Sequence, residues 1–393
     1  MFAKRGVVTC LLLSFGVFSG AGEDQFTPLL ASAALNGNTQ VFPGTDDHQH
    51  VVYELMMINA NATPATLQKV EVVSAADPTR AIATYQGVEL LAHVRSTANT
   101  AVANTEIELN GVRVFLIHIA LPDGAAAPER FMHRLTLLGG VTPSPKAQTP
   151  VALEYLAAPL TLSANVPRIG PPLKGKDWVA FNGCCETSGA HRATSQTVNG
   201  GLHFAQRFAI DWLRLDEAGR LVNGNPADVH SWISYDSDVL AVADGRVVKT
   251  EQNLEDQIPG SLPDPKTLTL ANVDGNYIVL DLGNGVFAFY AHLRRNSISV
   301  SPGEHVKRGQ VLAKLGNTGN TSAPHLHFHL MDGTSTLGSN GIPYVIDTFE
   351  YSGEVSAAKL ASDNMEGKWN EGLLRTPSVR HGQFPLDRAV VDF

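Results

Sequence analysis

The sequence predicts an all-β protein built from two consecutive domains. Its 393 residues exceed the usual size of one hydrophobic core, so two domains are expected. Short apolar runs alternate with turn signals along most of the chain, and 35 glycines and 22 prolines supply residues for the turns. Helix signals are few, and the best is a short stretch at 354–361. We therefore expect an amino-terminal, Ig-like β-sandwich followed by an antiparallel β-sheet domain with long loops.

The composition excludes several classes of protein. Hydrophobic residues make up 44% of the chain and charged residues 17%, which excludes a disordered chain and a polytopic membrane protein. Lysine and arginine number 29 against 38 acidic residues, so no basic surplus is present to neutralise phosphates and we expect no nucleic-acid partner. The 14 histidines stand out. Because histidine is the commonest metal ligand, their positions decide the functional interpretation.

The first residues have the order of an export signal. A basic start is followed by an apolar run from Gly6 to Phe18 and by the small residues 19–21. This order predicts a secretory signal peptide over 1–21, cleaved near Ala21, and a secreted or periplasmic protein. The apolar run is short for crossing a bilayer, so no transmembrane helix is expected after cleavage, and an uncleaved anchor is the alternative.

The first domain is predicted over residues 45–165. Residues 51–165 alternate short apolar runs with turn signals, as in 51–55 and 112–116, and this period of two is typical of an antiparallel β-sandwich. A segment rich in proline and glycine at 166–176 marks the domain boundary.

The second domain is predicted over residues 175–350. Apolar runs again indicate strands, and Asn284-Gly285 between two of them is a strong hairpin turn. The stretch 251–272, rich in proline, aspartate and glutamine, is predicted to be an inserted loop. Residues 351–393 are expected to form a carboxyl-terminal extension that ends in a polar tail.

The cysteines that remain after the signal peptide, Cys184 and Cys185, are adjacent. An oxidising compartment could pair them, but a disulfide between neighbours is strained and closes almost no loop, so a local turn feature is favoured. Adjacent thiols without a further cysteine also make a poor zinc site.

The strongest pattern is His325-Leu326-His327-Phe328-His329. On a strand, residues i, i+2 and i+4 share a face, so the imidazoles point the same way. Such a face presents a metal ligand beside a general base, and an exposed polar strand face is the alternative. The other histidines are expected to be structural or solvated; they are His93, His118, His133, His230, His305 and His381, while His48 and His50 could hold a metal but have no further ligand near them in sequence.

From Leu240 to Leu330 the chain resembles the lysostaphin/LytM-type zinc endopeptidases, which cut peptide cross-links in bacterial cell walls. The matching segments follow the family order and are 241–247, 275–280, 290–293, 306–310, 316–321 and 325–328. The resemblance implies a zinc cofactor, with Asp211 and His327 as ligands and His292 and His325 as catalytic histidines. His329 stands where the family often has an acidic residue and is not predicted to bind the metal.

The family motif His-x-x-x-Asp is not preserved, because Arg207 stands four residues before Asp211 and cannot bind zinc. His203 would lie about 26 Å from Asp211 along an unbroken strand at about 3.3 Å per residue. Residues 191–198 and 202–211 flank a hairpin-turn sequence, which would bring His191 beside Asp211 on the neighbouring strand. We therefore predict His191 as the remaining zinc ligand, with His203 as the alternative.

The resemblance implies a zinc metalloendopeptidase that uses an activated water and a histidine base, most directly against peptidoglycan cross-link peptides. A metal-free relative that binds or regulates, and a peptidase acting on other peptides, are the alternatives. The sequence makes no prediction of oligomeric state.

Overall fold

A computed structural model describes residues 24–34, 39–98, 100–122, 124–360, 365–371, 373 and 377–393. The predicted signal peptide at 1–21 lies outside these residues. The fold is almost entirely β, as predicted, and the α-helices of the described part are α1 (Gly87–His93) and α2 (Ala357–Leu360). Within the same part of the chain, no helix has the length and apolar character needed to cross a membrane.

The amino-terminal strands form one ten-stranded sheet around a shared core. They are β1 (Leu29–Ala33), β2 (Thr39–Pro43), β3 (Gln49–Asn59), β4 (Ala65–Ser74), β5 (Ala81–Gln86), β6 (Val94–Arg95), β7 (Glu106–Ile107), β8 (Val112–Leu121), β9 (Arg130–Gly139) and β10 (Val151–Ser163). The order is β5-β4-β9-β10-β2-β3-β8-β6, with β1 on β3 and β7 on β4. Strand β10 pairs antiparallel with β9 and parallel with β2. It therefore joins the strands on the β9 side and those on the β2 side into one sheet. The Ig-like detail of the prediction is not confirmed, and the strands begin before residue 45.

The remaining strands form a 12-stranded sheet and two short pairs. They are β11 (Arg168–Ile169), β12 (Trp178–Phe181), β13 (Gln196–Val198), β14 (Gly201–His203), β15 (Ile210–Arg214), β16 (Asp238–Leu240), β17 (Gly245–Glu251), β18 (Asn276–Gly283), β19 (Val286–Leu293), β20 (His305–Val306), β21 (Val311–Lys314), β22 (Leu326–Met331), β23 (Gly341–Ile342), β24 (Val345–Glu354), β25 (Ser378–Gln383) and β26 (Ala389–Asp392). The large sheet has the order β11-β24-β26-β12-β15-β22-β19-β18-β17-β20, with β23 on β22 and β25 on β24, while β13 pairs with β14 and β16 with β21.

Strand β22 lies near the middle of this sheet and is buried on both faces. Leu326, Phe328 and Leu330 are fully buried in the main hydrophobic core. Because side chains alternate across a strand, His327 and His329 point to the opposite face. The period-two pattern of the sequence therefore places apolar residues in the core and imidazoles on the other face.

Two local predictions in this domain are confirmed. Asn284 and Gly285 form the turn between β18 and β19, each with a positive φ (54° and 75°), as a two-residue hairpin requires. Residues 252–275 run between β17 and β18 as a loop whose regular structure is a 3₁₀ turn at Pro265–Thr267.

The expectation of a polar tail is wrong for residues 378–393, which form β25 and β26. Strand β26 lies between β24 and β12, and Val390 and Val391 are fully buried there. Strand β26 is only four residues long, so its apolar run Ala389-Val390-Val391 is too short to show a period-two pattern in the sequence. Part of the linker at 166–176 is likewise a strand, β11, paired with β24.

Candidate metal centre

The central strands bring the predicted site residues to one place. Asp211 on β15 pairs with His327 on β22, and Ala291, beside His292 on β19, pairs with His327 from the other side. His325 directly precedes β22. The exposed fractions of Asp211, His292, His325 and His327 are 7%, 7%, 8% and 3%.

Asp211 lies at the centre of the cluster. Its Oδ1 lies 2.9 Å from Nδ1 of His327 and 3.3 Å from Nε2 of His325. Its Oδ2 lies 3.4 Å from Nε2 of His191 and accepts a hydrogen bond of 2.8 Å from the amide of Asn182. The carboxylate therefore contacts three imidazoles and one amide within a nearly closed site.

His191 lies beside Asp211, but it does not arrive there through strand pairing. The hairpin around Asn199-Gly200 pairs only 196–198 with 201–203. Turn hydrogen bonds in 189–194 and in 206–209 take both arms out of the ladder, and Asp211 has β12 and β22 as its neighbouring strands. The predicted pairing is wrong, and His191 reaches the carboxylate from an irregular segment.

His203, the alternative ligand, ends β14 and pairs with Gln196. The described residues contain groups of ligand atoms that lie within 4.8 Å of one another, and none of those groups includes His203. Its Nδ1 is buried without a hydrogen-bond partner.

Backbone carbonyls orient the imidazoles. Nδ1 of His191 lies 3.1 Å from the carbonyl oxygen of Ala209, while Nδ1 of His292 and of His325 lie 2.7 Å from the carbonyl oxygens of Thr318 and Ala323. A carbonyl only accepts, so each ring carries its proton on Nδ1 and leaves Nε2 unprotonated in its neutral form. His292 also has a positive φ of 60°, a rare conformation for a residue other than glycine that is concentrated at functional sites.

His327 is oriented differently, with Nδ1 towards Asp211 and Nε2 at 3.1 Å from Nδ1 of His329. His329 is fully buried, and its own Nε2 has no hydrogen-bond partner. His329 thus lies directly behind His327.

The pKa values of these groups shift in different directions. Although burial opposes ionisation of Asp211, the neighbouring histidines hold the pKa of its carboxyl well below the ordinary value. Burial lowers the pKa of His327 to about 4, and burial together with His325 and His327 lowers that of His292 well below its usual range. Burial also disfavours protonated His325, but the charge of Asp211 outweighs it and raises the pKa of that imidazole.

The donor set fits a zinc ion. Ligand atoms of His191, Asp211 and His327 lie within 4.8 Å of one another, and His292, His325 and His327 form a second, overlapping group. Zinc bonds of about 2.0–2.2 Å require donors roughly 3–4 Å apart. The group that contains Asp211 also brings a negative charge, and its histidine and carboxylate donors are typical of catalytic zinc sites.

No sequence motif selects Asn182 as a site residue. It lies in the Asn-Gly-Cys-Cys segment, for which the sequence predicts a local turn, and its φ is 55°. An asparagine in the left-handed region, directly after a strand that pairs with the strand of Asp211, is the signal that could have identified it.

A separate cluster joins His50, His118 and Cys185. Nδ1 of His50 lies 2.9 Å from Nε2 of His118, and its Nε2 lies 2.9 Å from Asp46. Cys185 forms a disulfide with Cys184, which differs from the favoured expectation of a local turn feature, so its sulfur is not a thiolate ligand. His230, His305 and His381 are exposed, as predicted.

Residues 232–338 match the model described as Peptidase family M23. This segment includes His292, His325 and His327, while His191 and Asp211 precede it. The match confirms the resemblance for this part of the chain.

Two curated relatives illustrate the extent of the similarity. The chain is 44% identical over 57 residues to the peptidoglycan DD-endopeptidase ShyA of Vibrio cholerae, covering 14% of this chain and 13% of that protein. It is 34% identical over 98 residues to the glycyl-glycine endopeptidase ALE-1 of Staphylococcus capitis, covering 25% of this chain and 26% of that protein. The matches therefore span between 13% and 26% of these relatives. The solved catalytic domain of lysostaphin from Staphylococcus simulans is 22% identical with a TM-score of 0.22, over 37% of this chain and 80% of that one.

Proposed function

We propose that the chain is a zinc metalloendopeptidase that hydrolyses peptide bonds, most directly those of peptidoglycan cross-link peptides. The observation that carries this proposal is the convergence of His191, His325 and His327 on the buried carboxylate of Asp211, with His292 packed against His325. The similarity to cell-wall endopeptidases supports the substrate class.

His191, Asp211 and His327 are the proposed ligands, because three protein donors leave a coordination position open for water or substrate. When bound, zinc polarises a peptide carbonyl and makes a coordinated water acidic enough to react near neutral pH. The carbonyl oxygen of Ala209 orients His191, and His329 contacts the second nitrogen of His327, as is usual for metal-binding imidazoles.

His292 and His325 are the proposed catalytic residues. With their protons held on Nδ1 by Thr318 and Ala323, both rings present Nε2 towards the site. One neutral imidazole takes the proton of the attacking water at Nε2 and passes it to the leaving amine, and the other, as an imidazolium protonated at Nε2 as well, donates a hydrogen bond to the negatively charged carbonyl oxygen. Hydrolysis then yields a carboxylate and an amine.

Export of the chain through a signal peptide at 1–21 completes the proposal, since the substrate lies outside the cytoplasm. The sandwich of residues 45–165 would then precede a peptidase domain of residues 175–350, and the extension of residues 351–393 would add β25 and β26 to the sheet of that domain. A metal-free binding or regulatory module is the second candidate, and the specific observation that favours it is Arg207 at the position of the missing histidine.

Zinc content and hydrolysis of purified peptidoglycan test the proposal together. We expect about one zinc per wild-type chain and release of soluble peptides from cell walls. His325→Ala should keep the zinc and lose hydrolysis, and His327→Ala should lose both. His305→Ala, which replaces an exposed side chain on the edge strand β20, is the matched control that should keep both. Wild-type protein without zinc and without hydrolysis would support the metal-free candidate, and hydrolysis confined to other peptides would overturn the substrate class.

A further inference from the structure

The segment that holds His191 is anchored to the amino-terminal sheet. The guanidinium of Arg95 donates to the carbonyl oxygen of Thr187 at 3.3 Å, and the hydroxyl of Ser195 donates to the backbone carbonyl oxygen of Thr97 at 3.0 Å. Phe204, at the other end of the segment, is buried against β8. Residues 187–204 therefore depend on the first domain for their position, although they supply a residue to the site of the second.

Glu54 on β3 is the strongest of these links. It is 1% exposed, and its two carboxylate oxygens pair separately with Arg192 at 2.6 Å and with Arg207 at 2.7 Å. Arg192 directly follows His191, and Arg207 stands four residues before Asp211. A single carboxylate of the first domain thus pairs with the arginine next to one proposed ligand, His191, and with the arginine four residues before another, Asp211.

Arg192 is fixed by more than this ion pair. The same guanidinium donates to the carbonyl oxygens of Tyr53 at 2.9 Å and of Ile117 at 3.2 Å, on neighbouring strands of the first sheet. The side chain is completely buried. A planar guanidinium that bonds a carboxylate and two carbonyls at once has one position available, so the backbone of the adjacent His191 is fixed with it.

Arg207 is fixed in the same way on the side of the second domain. Its Nε donates to the carbonyl oxygen of Gly341 at 2.7 Å while its terminal nitrogen pairs with Glu54. Without Glu54, both guanidinium groups would be buried without a counter-charge, which is strongly unfavourable, so the segments that carry them would move towards water.

We propose that Glu54 is a positioning residue for the metal site, acting through Arg192 on His191, and that the amino-terminal sheet is therefore a required part of that site. This inference rests on the proposed function, since it assumes that His191 binds zinc. It explains how a ligand can come from an irregular segment outside the peptidase sheet: the order that a strand would provide comes from the buried charges of the other domain.

Zinc affinity of the full chain, measured by competition with a chelating dye, tests this inference. Glu54→Gln and Arg192→Met should each raise the zinc Kd about tenfold or more, the range found when a group supporting a metal ligand is removed. Glu54→Asp, which keeps the charge, should recover part of the affinity. Glu71→Gln is the matched control, because Glu71 is a buried glutamate of the same sheet that pairs with Lys69 and Arg134 within that sheet.

The control separates positioning from general stability, since Glu71→Gln should destabilise the first domain and leave the zinc Kd unchanged. Folded Glu54→Gln and Arg192→Met proteins with wild-type zinc affinity, or an equal loss in Glu71→Gln, would overturn the inference. Amide hydrogen exchange in residues 187–195 of metal-free protein gives an independent reading, and Glu54→Gln should accelerate it while Glu71→Gln should not. Wild-type protein that binds no zinc would instead refute the proposed function, and the exchange comparison would still decide whether Glu54 orders the segment.

Discussion

Replacement of His329 by leucine should weaken zinc binding without unfolding the protein. When Nδ1 of His327 binds the metal, its Nε2 must carry a proton, and Nδ1 of His329 at 3.1 Å is positioned to accept it. In metal-free protein His327 can move its proton to Nδ1, where Asp211 accepts it at 2.9 Å. Leucine therefore penalises mainly the zinc-bound state.

The size of the effect follows from the burial of the pair. His327 and His329 are 3% and 0% exposed, so no water replaces the lost acceptor. A buried donor left without a partner costs about 1–3 kcal/mol, which corresponds to a zinc Kd raised about 5-fold to 150-fold. The free energy of unfolding of metal-free protein should change little, because His329 already has a buried Nε2 without a partner.

The assay is competition with a chelating dye at neutral pH, combined with denaturant unfolding of the metal-free protein. His329→Asn is the matched control, because its amide oxygen can occupy the place of Nδ1 and should keep most of the affinity. A leucine variant that binds zinc as tightly as wild type, or an asparagine variant as weak as leucine, would refute the assignment of His329 as the acceptor.

Two further predictions concern a ligand and a buried histidine. His191→Ala should lose zinc by elemental analysis while His203→Ala keeps it, and the reverse result would contradict the proposed ligand set. Lowering the pH from 7 to 4 should destabilise the first domain by about 3 kcal/mol through His133, because burial lowers its pKa from 6.5 to about 4. The unfolded chain takes up a proton at His133 as the pH falls below 6.5, while His133 in the folded state stays mostly neutral until the pH approaches 4. Denaturant titrations should show a weaker pH dependence in His133→Gln, and an unchanged dependence would contradict this account.

Much of the sheet that carries the site could be predicted because its signals are local. The alternation of histidines with Leu326 and Phe328 predicts both the strand and the face that is buried in the core. The pair Asn284-Gly285 predicts the hairpin between β18 and β19, because few other residues adopt a positive φ so readily. These features depend on neighbours within a few positions and on no distant contact.

The path of His191 could not be predicted in the same way. A continuous hairpin would keep both arms in one ladder, but turn hydrogen bonds such as that from Thr194 to His191 end the first arm early. The force that fixes the segment is the pairing of Arg192 with Glu54, 138 positions away in the chain. No periodicity or spacing in the sequence indicates a contact over that distance. For the same reason, the sequence does not predict that β10 pairs with both β9 and β2 and so joins the amino-terminal strands into one sheet.

The position of β26 also has a consequence for the order in which the molecule forms. Its neighbour β12 is far away in sequence, and a hydrogen bond from the backbone of Asp177 to Asp392 joins positions 215 apart. Pairings of such high sequence separation are slow, because a long loop must close before any contact compensates for it. During synthesis, β12 and β24 emerge before the strand that separates them, so their edges stay open until residues 389–392 have left the ribosome. We expect closure of this sheet to be a late step of folding, and a chain interrupted before residue 389 to expose unpaired strand edges that associate with other chains.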